Sequence, residues 1–436
     1  MKRGTWVLLV IVAALAAFIF LWERGRPTTQ DRESGRLLSL KAEKVVRLSR
    51  TGDSPVVLVK RGETWDLEKP VADKADRYGV EGFLDQVSAM TGLRAVGAGT
   101  SEADLGLKPP RAVWSLETGG DAEKVEVGAQ APLKEGLYVR ADGKVWVVPS
   151  DMEGLLMRPV DEFRLKDLTA VPTADVEAFS WSAKAPVLAA EKSPAGWNVT
   201  IPFRDWGAES AIQTFLDDLC LCPVFGFSKP EVTEGSAGLE DPVASFELTL
   251  KGGRKVRVAL GGPVPGADPG KDLVYASSSD RPGIMEVSRN SLRFLKSSPE
   301  NYRSDALFRH SLYEADSVAV EGAYTVKLVR DEKTGWRFDT PKKAPAGADA
   351  SVLAAGLTAL RAGGLTPGAG AGPDYLKIVL KGAGFSETLV IGPEGKGGRV
   401  AKPQGREGWL VLDADPWHRA EAALRLAAGP PKGEKP

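Results

Sequence analysis

Two imidazoles, His310 and His418, and two thiols, Cys220 and Cys222, are the scarcest reactive groups in this 436-residue chain. The imidazoles lie 108 residues apart, with no His-Glu-x-x-His string and no Cys quartet, so the spacing offers no zinc site. There is no Gly-x-Ser-x-Gly elbow to present a serine nucleophile. Each imidazole therefore reads as a surface or capping residue. The glycine-rich stretch "GGPVPGADPGKD" (261–272) carries Lys271, but its prolines remove the N–H donors that a phosphate cradle needs. It reads as a loop between strands. Cys220 and Cys222 stand in "DDLCLCP", and on a helix that spacing sends the thiols to different sides. Their plainest use is as small buried apolar groups; redox or metal-transfer chemistry and a strained or intermolecular disulfide are the alternatives. The pairs Asp217-Asp218 and Asp161-Glu162 read as solvated faces or helix-start charges, since adjacent acids are not an acid/base pair without geometry. The expectation is a protein that is not an enzyme, with no catalytic, cofactor-binding or metal-binding residues.

Composition points the same way. Lys and Arg total 57 against 58 Asp and Glu, which lacks the basic excess typical of a nucleic-acid binder. Two cysteines are too few for a disulfide scaffold. At roughly 150 residues per domain, the length suggests about three domains.

The positioning elements come as repeats. "GETWDLEKP", "AGWNVTIP" and "TGWRFDTP" share a Gly shortly before a Trp, an apolar residue two after it and a Pro five after it. The signature residues are Gly62, Trp65, Leu67 and Pro70; Gly196, Trp197, Val199 and Pro202; and Gly335, Trp336, Phe338 and Pro341. The Trp residues are 132 and 139 apart. An apolar stripe in steps of three and four follows each: Val80, Phe83, Leu84, Val87, Met90; Ile212, Phe215, Leu216, Leu219; Val352, Leu353, Leu357, Leu360. That spacing predicts three amphipathic helices.

Gly-Leu-x-x-Pro then occurs at Gly106, Leu107 and Pro110 and again at Gly238, Leu239 and Pro242, but the third copy has "LTPGAGAGPDY" instead. Strands closing on Gly128, Gly261 and Gly392 follow, 133 and 131 residues apart, then a hairpin and a closing helix. Copies one and two also end alike, in "FRLKDLT" and "YRSDALF". The predicted fold class is α+β: an N-terminal transmembrane helix and three repeated modules, each a β-hairpin, a helix, an antiparallel meander and a short helix. The expected boundaries are 1–26 anchor, 27–36 linker, 37–169, 170–308 and a degenerate 309–429 for the repeats, and a tail at 430–436.

The recurring residues have structural jobs. The Trp and the apolar residue two later share a strand face, which is most simply the core. The glycines suit turns needing positive φ, and the Pro ends the strand. The alternative makes the three Trp rings faces of a polysaccharide- or peptide-binding groove.

An uncharged run from Gly4 to Trp22, with Trp at both ends, is long enough to cross a bilayer as a helix. Ala14-Leu15-Ala16 has the form of a signal-peptidase site, but "FIFLW" continues the apolar run beyond it, which favours an uncleaved anchor over a cleaved signal or a buried helix. A long domain after one span translocates largely regardless of charge, which favours an exported C-terminal part.

Taken together, the single span, the Trp-x-apolar-x-x-Pro strand, the amphipathic helix, Gly-Leu-x-x-Pro and the strand ending in Gly resemble the DUF4340 family, a domain of unknown function. The resemblance covers nearly all of the exported part and is best in copies one and two. It implies a bacterial envelope protein associated with an ABC-type transport system and its gliding-motility-like auxiliary protein. The expectation is a periplasmic, single-pass inner-membrane scaffold or accessory protein. Its expected partners are the transporter subunits, that auxiliary protein and, through residues 4–22, the lipid bilayer; nucleic acid is not among them. An envelope polysaccharide- or peptidoglycan-binding protein is the alternative. The family supplies no site residues to carry over.

Overall fold

A computed structural model describes residues 35–52, 54–97, 99–132, 136–343, 345–366, 374–395 and 397–432. The predicted anchor at 4–22 lies outside these. Among the described residues, no helix is long and apolar enough to cross a membrane.

The architecture is α+β, dominated by large antiparallel sheets. The first contains β1 (Arg47–Gly52), β2 (Val56–Arg61), β3 (Thr64–Lys69), β4 (Asp73–Lys74), β5 (Arg94–Ala95), β6 (Ala112–Glu117), β7 (Ala122–Gln130), β8 (Leu137–Ala141) and β9 (Lys144–Val148). Its order is β4-β3-β2-β1-β6-β7-β8-β9-β5. The second is built from β10 (Val176–Ala183), β11 (Ala185–Ser193), β12 (Gly196–Ile201) and β13 (Asp205–Trp206), then β15 (Ala244–Leu250), β16 (Lys255–Pro263), β17 (Leu273–Ser278) and β18 (Met285–Ser288). It runs β13-β12-β11-β10-β15-β16-β17-β18. Strand β14 (Val224–Phe227) falls in the first compact unit. The third holds β19 (Ala315–Gly322), β20 (Val326–Asp331), β21 (Gly335–Thr340), β22 (Ala362–Thr366), β23 (Leu376–Gly382), β24 (Phe385–Gly395), β25 (Gly398–Pro403) and β26 (Trp409–Leu412). Its order, β21-β20-β19-β23-β24-β25-β26-β22, repeats the first sheet, with no counterpart of β4 among the described residues.

The repeat unit is thus not a hairpin beside a separate meander. The first strand of each repeat pairs on its far side with the first meander strand, Leu48 opposite Leu116, Phe179 opposite Leu248 and Val318 opposite Leu380. Buried positions alternate along each of these strands, so one register fuses both parts into a single face with one core.

Helices cover the sheets: α1 (Arg77–Ser88) and, in the first closing segment, α2 (Met152–Leu156) on the first, α3 (Glu209–Cys220) on the second, and α4 (Ala350–Thr358) with α5 (Ala414–Ala428) on the third. The Asp76 carboxylate caps α1 by accepting from the Tyr78 N–H, and Asp349 caps α4 by accepting from Ser351 and Val352. The stripes on α1 and α3 are buried throughout, but Val352 is 63 % exposed. On α4 the inward face is Ala350, Leu353, Ala354 and Leu357, the set that keeps one side of the helix. Val352 was misread because the neighbouring alanines hid which stripe packs.

The closing helix also differs between copies. In the second it is a run of 3₁₀ turns, with Ser288 and Ser298 accepting local N–H bonds and Pro299 starting the last turn. Such punctuation stops an α-helix from propagating.

The described chain forms two compact units. One contains the described residues up to Ala170 with Val224–Lys229 and Arg281–Met285; the other contains Val171–Pro223, Pro230–Asp280 and the described residues from Glu286 onward.

Gly128 and Gly261 meet the Gly-Leu-x-x-Pro turn. A Cβ at Gly128 would sit 2.4 Å from the Leu105 carbonyl oxygen, and one at Gly261 would sit 2.1 Å from that of Ala237. The turn is held there by Ala129 N–H to Leu105 O and by Gly262 N–H to Ala237 O. In the third copy, a Cβ at Gly392 would meet the Val400 and Trp409 side chains instead. Gly261→Ala should therefore cost about 2 kcal/mol or more, as overpacking against rigid backbone does. Gly392→Ala should cost less because side chains can yield, and urea melts of the two variants check the ranking.

Candidate functional site

The residues selected by spacing are mostly structural in placement. Trp65 and Trp197 are 1 % and 2 % exposed, while Trp336 is only half-buried. Leu67 and Val199 are buried beside the first two and Phe338 beside the third. Gly62, Gly196 and Gly335 have φ of 62°, 101° and 78°, and Pro70, Pro202 and Pro341 follow cis peptide bonds. Gly106 and Gly238 have φ of 64° and 70°, and Leu107 and Leu239 are buried beneath those turns. Pro110 and Pro242 follow in their turns, and both are partly buried.

The reactive groups are dispersed. His418 is exposed on α5. His310 stacks on Phe385 with ring centroids 3.9 Å apart, and its Nδ1 hydrogen-bonds Glu387. Glu387 also accepts from the Arg309 N–H at 2.8 Å. A nearby cleft of about 400 Å³ is lined by Trp206, Arg309, Ser386 and Glu387 among others. Cys220 and Cys222 are both buried. Asp217 accepts from Gln213, whereas Asp218 takes a bidentate pair from Arg293. Asp161 and Glu162 open a 3₁₀ turn, and Glu162 pairs with Arg158 at 3.3 Å.

Spacing alone did not single out the polar centres that the fold builds with most care. Each repeats the other. In the first unit, Asp73 opens β4 three residues after Pro70. Arg164 donates from Nε to its Oδ2 at 2.8 Å. Arg281 donates from Nε to Oδ1 at 3.1 Å and from Nη2 to Oδ2 at 2.8 Å. The side chains of Asp73 and Arg281 are fully buried. Arg281 also donates to the Asp167 carbonyl, Arg164 to the Pro282 carbonyl, and the Arg164 guanidinium lies 3.5 Å from the Phe227 ring centre.

In the second unit, Asp205 opens β13 three residues after Pro202. Arg303 donates to its Oδ2 from Nε at 2.8 Å and also from Nη2. Arg406 donates from Nε to Oδ1 at 2.6 Å and from Nη2 to Oδ2 at 2.9 Å. Arg406 further donates to the Ala306 and Ser304 carbonyls, and its guanidinium lies 5.2 Å from the Trp206 ring centre. Ala306 stands three residues after Arg303, as Asp167 does after Arg164, so even the backbone acceptor is repeated. The visible sequence signal was Pro-x-x-Asp recurring at a distance of 132, with Phe-Arg and Tyr-Arg at the two similar closing strings.

The electrostatics of the second cluster set a pH limit. Burial pushes the Asp205 carboxyl up, but charged hydrogen bonds from Arg406 and Arg303 and the Trp206 N–H outweigh it and hold the carboxyl below its usual range. With an unfolded value of about 3.9, this group's contribution to stability is complete at neutral pH and is lost as pH falls through the lower folded value. Melts of the wild type and Asp205→Asn should therefore differ most above about pH 4 and converge in stronger acid.

The comparison with known families falls on this same ground. Residues 65–224 match the family model of DUF4340, a domain of unknown function. This segment belongs to the DUF4340 family. The match opens at Trp65 and takes in Asp73, Arg164, Trp197 and Asp205, so the DUF4340 segment spans parts of two sequence repeats. No curated protein and no solved structure matches the chain.

Proposed function

We propose that this DUF4340 protein is a non-catalytic scaffold or accessory subunit of an ABC-type transport system. In this reading residues 4–22 form a single inner-membrane anchor, and three repeated α+β modules stand in the periplasm. The observation that carries it is the doubled Arg–Asp–Arg cluster. Its carboxylates accept on both oxygens from guanidiniums that also hold backbone carbonyls, which fastens chain segments and leaves the broad sheet and helix surfaces for partners. Repeated modules of this kind offer extended surfaces rather than one pocket.

Topology tests the reading. Alkaline phosphatase fused after Arg36 or at Pro436 should be active, and a fluorophore that matures only in the cytoplasm should stay dark at both sites. The reverse pattern would place the modules in the cytoplasm and sink the proposal.

A further inference from the structure

We infer that the face around β3–β4 and β12–β13 is a docking surface for the arginine-bearing hairpin tip of another repeat of this kind, with Asp73 and Asp205 as the recognition groups. The tips are alike. Arg406 lies between β25 and β26 and is flanked by Gly405 and Gly408, with φ of 82° and 80°. Arg281 lies between β17 and β18, followed by Pro282 and by Gly283 with φ of 80°. Both tips come from the repeat that follows their aspartate in sequence, 208 residues on for Asp73 and 201 for Asp205. The receiving surface is also alike. Ala75 N–H bonds the Trp65 carbonyl and Gly207 N–H bonds that of Trp197. Isolated bridges then join Ala75 to Arg164 and Gly207 to Arg303. A short strand thus ties the edge strand, the aspartate and the first arginine into one rigid seat, and the second arginine arrives as a planar fork that matches the carboxylate.

The recognition pairs consecutive repeats of this sequence. The third repeat has Ala344 three residues after Pro341, where the others have Asp. The corresponding hairpin of the first repeat, β8–β9, turns through Asp142 and Gly143, with Ala141 paired to Lys144, and carries no arginine at its tip. The donor is missing from the first copy and the acceptor from the last. A buried pair between each repeat and the next in this sequence is what a register device requires. The inference is independent of the transport-system reading, since it concerns recognition between repeats whatever their partner.

Arg406→Lys in the full-length chain tests it, because lysine keeps the charge and loses the fork. Amide hydrogen exchange should show protection falling about tenfold or more at residues 404–408 and 205–207, with β15 and β23 unchanged, as loss of charged hydrogen bonds at one seat predicts. Arg254→Lys, on the exposed side of the same unit, should change nothing. Unaltered protection at 404–408 in Arg406→Lys would overturn the assignment. So would an equal fall across β15 and β23, which would make the arginine a general core support.

Discussion

Trp65→Ala is expected to lower the stability of the first unit by about 3–5 kcal/mol, the range for truncating a large core aromatic. The ring is 1 % exposed and belongs to the cluster of Leu58, Val80, Leu84 and Val87, so its removal leaves a cavity between β3 and α1. Trp336→Ala occupies the same place in the third repeat but starts half-buried, and its cost should be clearly smaller. Urea denaturation followed by tryptophan fluorescence gives both values. Full stability with loss of binding to an envelope polysaccharide would instead make these rings a ligand surface.

Asp73→Ala should be as damaging. It strips the shared carboxylate from Arg164 and Arg281, leaving the fully buried Arg281 without its paired carboxylate and Arg164 with the more distant, exposed Asp161 at 3.6 Å. Breaking a buried pair from one side typically costs about 3–5 kcal/mol. Replacing Asp73, Arg164 and Arg281 together by Leu, Met and Met should recover much of that loss, because the desolvation penalty goes with the charges. Calorimetry of the two variants beside the wild type checks the order: wild type and triple variant close together, single variant far below. A single variant as stable as the wild type would show that the cluster adds nothing to the fold.

Apolar periodicity carried most of the legible part of this fold. The stripes from Val80 and from Ile212 marked α1 and α3, and alternation in "SFELTLKGG" marked β15, because burial repeats every 3.6 or 2 residues and leaves a local trace. Three things left no such trace. Strands β4 and β13 have two residues each, too few to alternate. The first strand of each repeat reaches its second partner across an intervening helix, as Arg47 does to Glu117, and local pattern says nothing of that. Arg281 and Asp73 stand 208 residues apart, and a charged residue in a loop looks solvated until the fold buries it. The recurring glycines were legible as turns, but the reason for Gly128 and Gly261 is a carbonyl oxygen arriving from the Gly-Leu-x-x-Pro turn.

The scaffold account is tested most directly by isolating the full-length protein from native membranes in mild detergent and identifying what elutes with it. The account predicts recovery in the inner-membrane fraction together with the permease and ATPase subunits of an ABC-type system, and loss of that association when residues 4–22 are deleted. Recovery in a soluble fraction, or from membranes with no transporter subunit, would contradict it.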